Sequence, residues 1–361
     1  MLENKDYGQL CHRALQSIAL DISLTSVDRL NIDRWVAASL LQKGIRRGDL
    51  ANALAAADAL LRANPAAFWR RILVIGWEDI AFGDLEVCFA ATGASKSKRW
   101  RDTVGERELG LALTARMCRA TKNRVADDVV TVIENENQSL ADAQAVGESD
   151  HHLLWRLALP NDRCILKRSV AAWLLIGTKR IPCNFLPRVE GDTAAFFDAF
   201  CSDQLSHAMK CFAADAVNRS RTLLPATIAM LEQDWRNTLH AGEVRDELIA
   251  TGSVDGIPEY AFDGHTRAGC RYLQRLSRAD SDLFLWLEEH VHDEQRLAML
   301  KKLFFRSVSA QCDRRQAWGK TEDLRRKADS VGFLLDPADF KVGLSIFRSA
   351  IAEFPVAEIL S

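Results

Sequence analysis

Between Pro65 and Pro160 the chain contains no proline. Proline is the commonest obligatory break in a helix, because it lacks the amide donor and its ring clashes with the preceding turn. An interval of this length without one can be helical throughout, and only eight prolines occur in the whole 361 residues. Strand signals are correspondingly scarce. Val129 to Ile133 is β-branched, but its neighbours do not alternate, so the periodicity favours a helix there. The predicted class is all-α, a multi-helix array of antiparallel helices.

Periodicity places the first helices. Trp35, Val36, Leu40, Leu41 and Ile45 recur at spacings of one face, while Gln42, Lys43, Arg46 and Arg47 hold the other side. Gly48 ends this helix, Asp49 caps an alanine-rich second one, and Asn64-Pro65 stops that. A third helix is predicted from Ala66 to Phe82. Further helices are expected at Glu106 to Ala120, Arg124 to Glu134, His151 to Leu159, Arg163 to Ile176, Thr266 to Leu276, Asp280 to His290, Asp293 to Cys312 and Pro337 to Ala352. Pro and Gly cluster at 179–191 and 252–264, which divides the chain into 1–178, 192–252 and 264–361.

Charge excludes a global attraction to polyanions. Lys and Arg number 47 against 49 acids, a formal net charge of -2, so any nucleic-acid contact has to be local. The first residues lack the basic start and apolar run of a signal peptide, and no stretch is long and apolar enough to span a bilayer, so a cytoplasmic protein without membrane contact is expected. Nine scattered cysteines form neither a zinc pattern nor a disulfide framework and read as reduced core thiols.

Several motifs fall together between Ala37 and Asp84. They are Ser39-Leu40-Leu41-Gln42-Lys43, then Ile45-Arg46-Arg47-Gly48-Asp49, the alanine-rich helix, Trp69-Arg70-Arg71-Ile72, and Glu78-Asp79-Ile80-Ala81. This segment resembles the helical region that follows the ATPase module in the RarA (MgsA) type of clamp-loader-related AAA+ proteins. That family commonly shows a Ser-Ala-Leu-His-Lys-like run, an Arg-Gly-Ser-Asp-like turn, a paired-arginine helix and a Ser-Glu-Asp-Ile-Gly-like end, and Gln42 stands where a histidine is usual. The match covers about residues 37–84. It implies a collar-like oligomerisation region, about 34–95, in proteins associated with stalled replication forks and recombination. No Gly-x-x-x-x-Gly-Lys-Ser/Thr run occurs, so ATP hydrolysis by this chain alone is not expected. On residue chemistry alone, Arg70, Arg71, Glu78 and Asp79 serve equally well as structural ion pairs.

Four other runs carry possible chemistry. Asp263-Gly264-His265-Thr266-Arg267 supplies a carboxylate, an imidazole and a guanidinium, the types needed for acid-base work on a phosphate-bearing substrate, and the competing reading is a helix cap at Asp263 or Thr266. His290-Val291-His292-Asp293-Glu294 has metal-ligand types, but histidines two apart face opposite sides of a helix; no metal and no cofactor are expected. His151-His152 is a weaker pair of the same kind. Lys96, Lys98, Arg99, Trp100 and Arg101 combine cations with an indole as single-strand binders do. From Arg296 to Lys327 ten cations meet three acids, including Lys301, Lys302, Arg306, Arg314 and Arg315, and as one amphipathic helix this stretch would present a basic face.

The expected function is a non-ATPase oligomeric scaffold or accessory factor in DNA replication, repair or mobile-element biology, a homo-oligomer or a binder of a protein partner, with single-stranded or forked DNA as a further ligand. The alternatives are a protein-binding adaptor for an ATPase or multi-protein system, and an enzyme acting through Asp263, His265 and Arg267.

Overall fold

A computed structural model describes residues 4–19, 27–135, 145–146, 151–159, 164–200, 205–238, 242–330 and 335–356. The first three residues, Pro160, Arg163 and Cys201, which entered the sequence reading, lie outside these. The protein is all-α. Helices make up 73% of the described residues, and the described strands are two short pairings, Gly242–Val244 with Arg315–Ala317 and Ser253–Val254 with Ile257–Pro258.

Contacts group the chain into two units, each drawn from three separate stretches. One contains residues 1–22, 69–243 and 316–332; the other contains 23–68, 244–315 and 333–361. The linear three-way division expected from Pro and Gly clusters follows chain order, whereas these units interleave along it.

In the first unit, Asn4–Ala19 packs on Leu85–Lys96, His207–Ser220 on Leu224–Arg236, and Val125–Asn135 on Gly319–Ser330. Its interior is aliphatic and aromatic: Trp77, Leu113, Met117, Val129, Phe196, Phe212 and Ile228 are all buried. Lys122 is buried among them, its ammonium donating to the carbonyls of Cys118 at 2.9 Å and Ala120 at 2.7 Å. Val125–Asn135 is helical, as the periodicity required.

In the second unit, Arg34–Arg47 and Leu50–Ala63 form an antiparallel pair. The connection is set locally. Gly48 takes the left-handed conformation at φ 67°, and Asp49 caps the following helix by accepting the amide of Asn52 at 3.2 Å. Gly44 lets the two helices approach closely, since a Cβ there would lie 3.1 Å from that of Ala53. Arg267–Ala279 packs on Arg296–Phe304, and Ser281–His290 on Pro337–Glu353.

Two predicted helices are shorter than expected. The third α-helix spans Pro65–Ile75, and the chain continues as a π-turn at Gly76–Ile80 and a 3-10 turn at Ala81–Gly83. The main-chain oxygen of Asp79 is taken by the amide of Asn123 at 2.8 Å, so the regular ladder is not continued. The helix predicted from Asp293 to Cys312 is a 3-10 turn, an α-helix over Arg296–Phe304 and a π-turn over Phe305–Ser309. Its late carbonyls are captured by arginines, Ser309 by Arg46 at 3.1 Å and Val308 by Arg47 at 3.2 Å.

Candidate functional site

Three basic residues of the helix Arg34–Arg47, namely Lys43, Arg46 and Arg47, point into the second unit. Lys43 is buried and its ammonium lies 2.5 Å from the carboxylate of Asp263; it also donates to the hydroxyl of Ser39, which in turn donates to the carbonyl of Ala261 at 2.7 Å. Burial alone would raise the Asp263 carboxyl. The Lys43 charge and hydrogen bond outweigh it, with help from His265, and hold the acid below its ordinary value. Arg46 is buried and reaches the 308–309 carbonyl region, and the amide of Asp313 donates to the Arg46 carbonyl at 3.0 Å.

This arrangement separates the Asp263 to Arg267 run. Asp263 is buried, whereas His265 and Arg267 are exposed. The second carboxylate oxygen of Asp263 accepts the amide of His265 at 3.0 Å, not its imidazole, and Thr266 caps the next helix by accepting the amide of Gly269 at 3.0 Å. Carboxylate, imidazole and guanidinium are therefore not gathered into one cavity.

A groove of about 530 Å³ opens nearby, lined by Arg47, Asp49, Asn52, Leu248, Gly252 and Tyr260 among others. Its ionic groups are occupied by its own walls. Arg47 donates to the carbonyl of Ile249 at 2.6 Å and lies 4.9 Å over the ring of Tyr260, while Asp49 accepts the Tyr260 hydroxyl at 2.7 Å and the Asn52 amide group at 2.9 Å. Burial lowers the Arg47 guanidinium below its ordinary value, with Tyr260 and Asp49 opposing the shift.

In the first unit, Glu78 and Asp79 sit on the π-turn beside Arg124, which lies more than 40 positions further along the chain and has no motif linking it to them. The Asp79 carboxylate lies 3.4 Å from Arg124 Nε, Glu78 lies 4.0 Å from Nη2, and Asp127 bonds the same guanidinium. Asp79 is fully buried. Arg70 is exposed and Arg71 half-buried. Gln42 is half-buried on the helix that carries Lys43.

The histidine-rich turn 288–296 lines a second open cavity of about 640 Å³. Among the described residues no group of three or more His, Cys, Asp or Glu is placed to hold a metal. Burial pushes the Cys88 thiol well above its ordinary value and the Cys211 thiol up to about 11, with Asp215 adding to the latter.

The basic stretch 296–327 is not a single amphipathic helix. It is broken into several elements, and its residues divide between the two units. Neutralising acids stand beside many of its cations: Arg296 lies 2.7 Å from Asp293, Arg315 lies 2.9 Å from Asp246 and Arg314 lies 3.7 Å from Asp313, while Lys320 pairs with Asp234 and Arg326 with Asp323. Lys302 lies over the ring of Phe340 and Arg306 over that of Phe305. Lys301 packs its stem against Gly264.

The 96–101 run splits as well. Arg101 lies 5.1 Å over the Trp69 ring and donates to Glu106 and to the Ala94 carbonyl, each at 2.8 Å. Trp100 is half-buried, with its ring close to Gly93. Lys96, Lys98 and Arg99 are exposed.

Leu283 to Leu287 is five consecutive apolar residues on a predicted helix, more than one buried face can take. Leu283, Trp286 and Leu287 are buried, leaving Phe284 40% and Leu285 61% exposed; on the helix packed against it, Val342 is 52% exposed. In comparisons with known proteins, no family model, no curated protein and no solved structure matches the chain.

Proposed function

We propose that this chain is a self-assembling helical scaffold without a motor of its own, an accessory factor of the DNA replication, repair or mobile-element kind. The single observation that carries the reading is the exposure of three large apolar side chains, Phe284, Leu285 and Val342, on two packed helices of the second unit. Burying each such side chain is worth about 1.5–3 kcal/mol, and exposed apolar clusters of this kind mark association surfaces.

A second copy of the chain is the occupant that fits. Charged residues flank the apolar side chains on both helices, Asp282, Glu288 and Glu289 on one and Lys341 and Glu353 on the other. An apolar patch of this kind can be buried against the same patch of a second copy across a two-fold axis. The resemblance of about residues 37–84 to a collar-like oligomerisation region supports the same conclusion, and the association with DNA processing rests on that resemblance.

Light scattering over a concentration series tests it. The expected mass is a multiple of the 40.4 kDa chain, reached at micromolar concentration. A mass that stays at one chain at every concentration overturns the proposal, and stoichiometric capture of a different protein by that single chain would establish an adaptor instead.

A further inference from the structure

We infer that the first unit carries a sequence-independent contact for the phosphate backbone of nucleic acid, built from Lys96, Lys98, Arg99 and Arg219 around Ser95. The inference gives the accessory-factor reading a specific contact surface and rests on that reading for its biological setting, but the binding it describes is measurable without it.

The geometry starts at the end of the helix Leu85–Lys96. Ser95 donates its hydroxyl to the carbonyl of Trp69 at 2.9 Å, and its own carbonyl accepts from Arg219 Nη1 at 3.1 Å. The neighbouring Lys96 lies 2.7 Å from Asp215, so two bonds tie the last turns of His207–Ser220 to this corner. Ser97 then caps the next helix by accepting the amide of Trp100 at 3.4 Å. Lys98 and Arg99 open that helix two and three residues after Lys96, and both are exposed. Lys96 and Arg219, from two separate parts of the sequence, are held at Ser95 with Asp215 beside them, and Lys98 and Arg99 follow directly in the chain.

This set differs from the one suggested by the sequence run. Arg101 and Trp100 are committed to packing, and Arg219, 120 residues downstream of Arg99 in the sequence, takes a place the run could not reveal. The stretch 296–327 has more cations, but acids stand beside five of them; of the present four, Lys96 likewise has Asp215 beside it. Lys98 and Arg99 are exposed in a way that suits counterion release, in which each neutralised phosphate contributes to the salt dependence of binding. With the indole turned inward, contact is to the backbone and carries no base information.

The test is fluorescence polarisation with a labelled twenty-nucleotide oligo-dT and a duplex of equal length, from 25 to 300 mM salt (~0.03–0.3 M, a range over which phosphate contacts are strongly screened). On single strands each phosphate contact contributes about -0.7 to the slope of log K against log salt, so four contacts give about -2 to -3. The double variant Lys98→Ala, Arg99→Ala should make the slope shallower by about 1.4 and should weaken binding to both probes alike. Lys320→Ala, in the same unit, should leave the slope unchanged. A slope in the double variant equal to that of the parent, or no binding to either probe at the lowest salt, overturns the inference. Repeating the titration with Leu285→Asp, which removes the proposed self-association surface, separates failure of assembly from failure of phosphate contact.

Discussion

Lys43 and Lys98 are the same residue on two exposed-looking helical runs, yet the two regions that hold them use charge in opposite ways. In the second unit, Lys43, Arg46 and Arg47 turn inward and hold together residues 249, 263, 308 and 309 through carbonyl and carboxylate bonds. In the corner around Ser95 of the first unit, Lys98 and Arg99 remain in water. A cation moved out of water costs several kcal/mol unless it is paired and fully hydrogen-bonded, so the inward set is bound to its partners while the outward set is free to exchange counterions. Composition cannot distinguish the two cases; partners distant in sequence do.

The largest effect should come from breaking the buried pair. Asp263→Ala leaves the Lys43 ammonium buried without its carboxylate and should cost about 3–5 kcal/mol, read as a lower urea midpoint. Replacing both residues, Lys43→Met with Asp263→Leu, should recover most of that loss. Lys98→Met should change stability by less than about 0.5 kcal/mol. Equal losses at positions 43 and 98 would break the contrast between the two regions.

Gly343→Ala comes next. A Cβ at this position would lie 2.2 Å from the Trp286 ring, and relieving such overpacking costs about 1–3 kcal/mol. Because these are the helices that present Leu285 and Val342, thermal stability and self-association should fall together.

The pH dependence follows from the direction of the Asp263 shift. Its carboxyl is held below the ordinary value in the folded protein, so the pair's contribution is complete above about pH 4 and is lost as pH falls through the lower, folded value. The urea midpoint of the parent should therefore decline below pH 4 more steeply than that of Asp263→Asn. Parallel curves would show that this carboxylate is not coupled to folding. The smallest effect is expected at Lys96→Ala, where an exposed pair with Asp215 is worth less than about 1 kcal/mol, although its loss should still weaken nucleic-acid binding.

Local structure was legible from local signals. Gly48, Asp49 and Asn64 mark helix ends because glycine in the left-handed region and an Asp cap act within a turn. The class was legible for the same reason. What stayed hidden depends on distant partners. Asp263 stands 220 residues from Lys43, and nothing in the Asp-Gly-His-Thr-Arg run reveals that its carboxylate is already committed. The π-turn at Gly76–Ile80 accompanies bonds from Asn123 and Arg124, and the early end of the helix after Phe304 accompanies Arg46 and Arg47 taking its carbonyls. The apolar run Leu283 to Leu287 is a different case: its excess over one buried face was readable from spacing alone.

The most direct test of the scaffold is sedimentation equilibrium of the parent chain beside the variant Leu285→Asp, Val342→Asp. Both substitutions fall on exposed positions, so the circular dichroism and thermal midpoint of the variant should match the parent. The account predicts a multimer for the parent and a single chain of 40.4 kDa for the variant. Identical masses for the two proteins would contradict it.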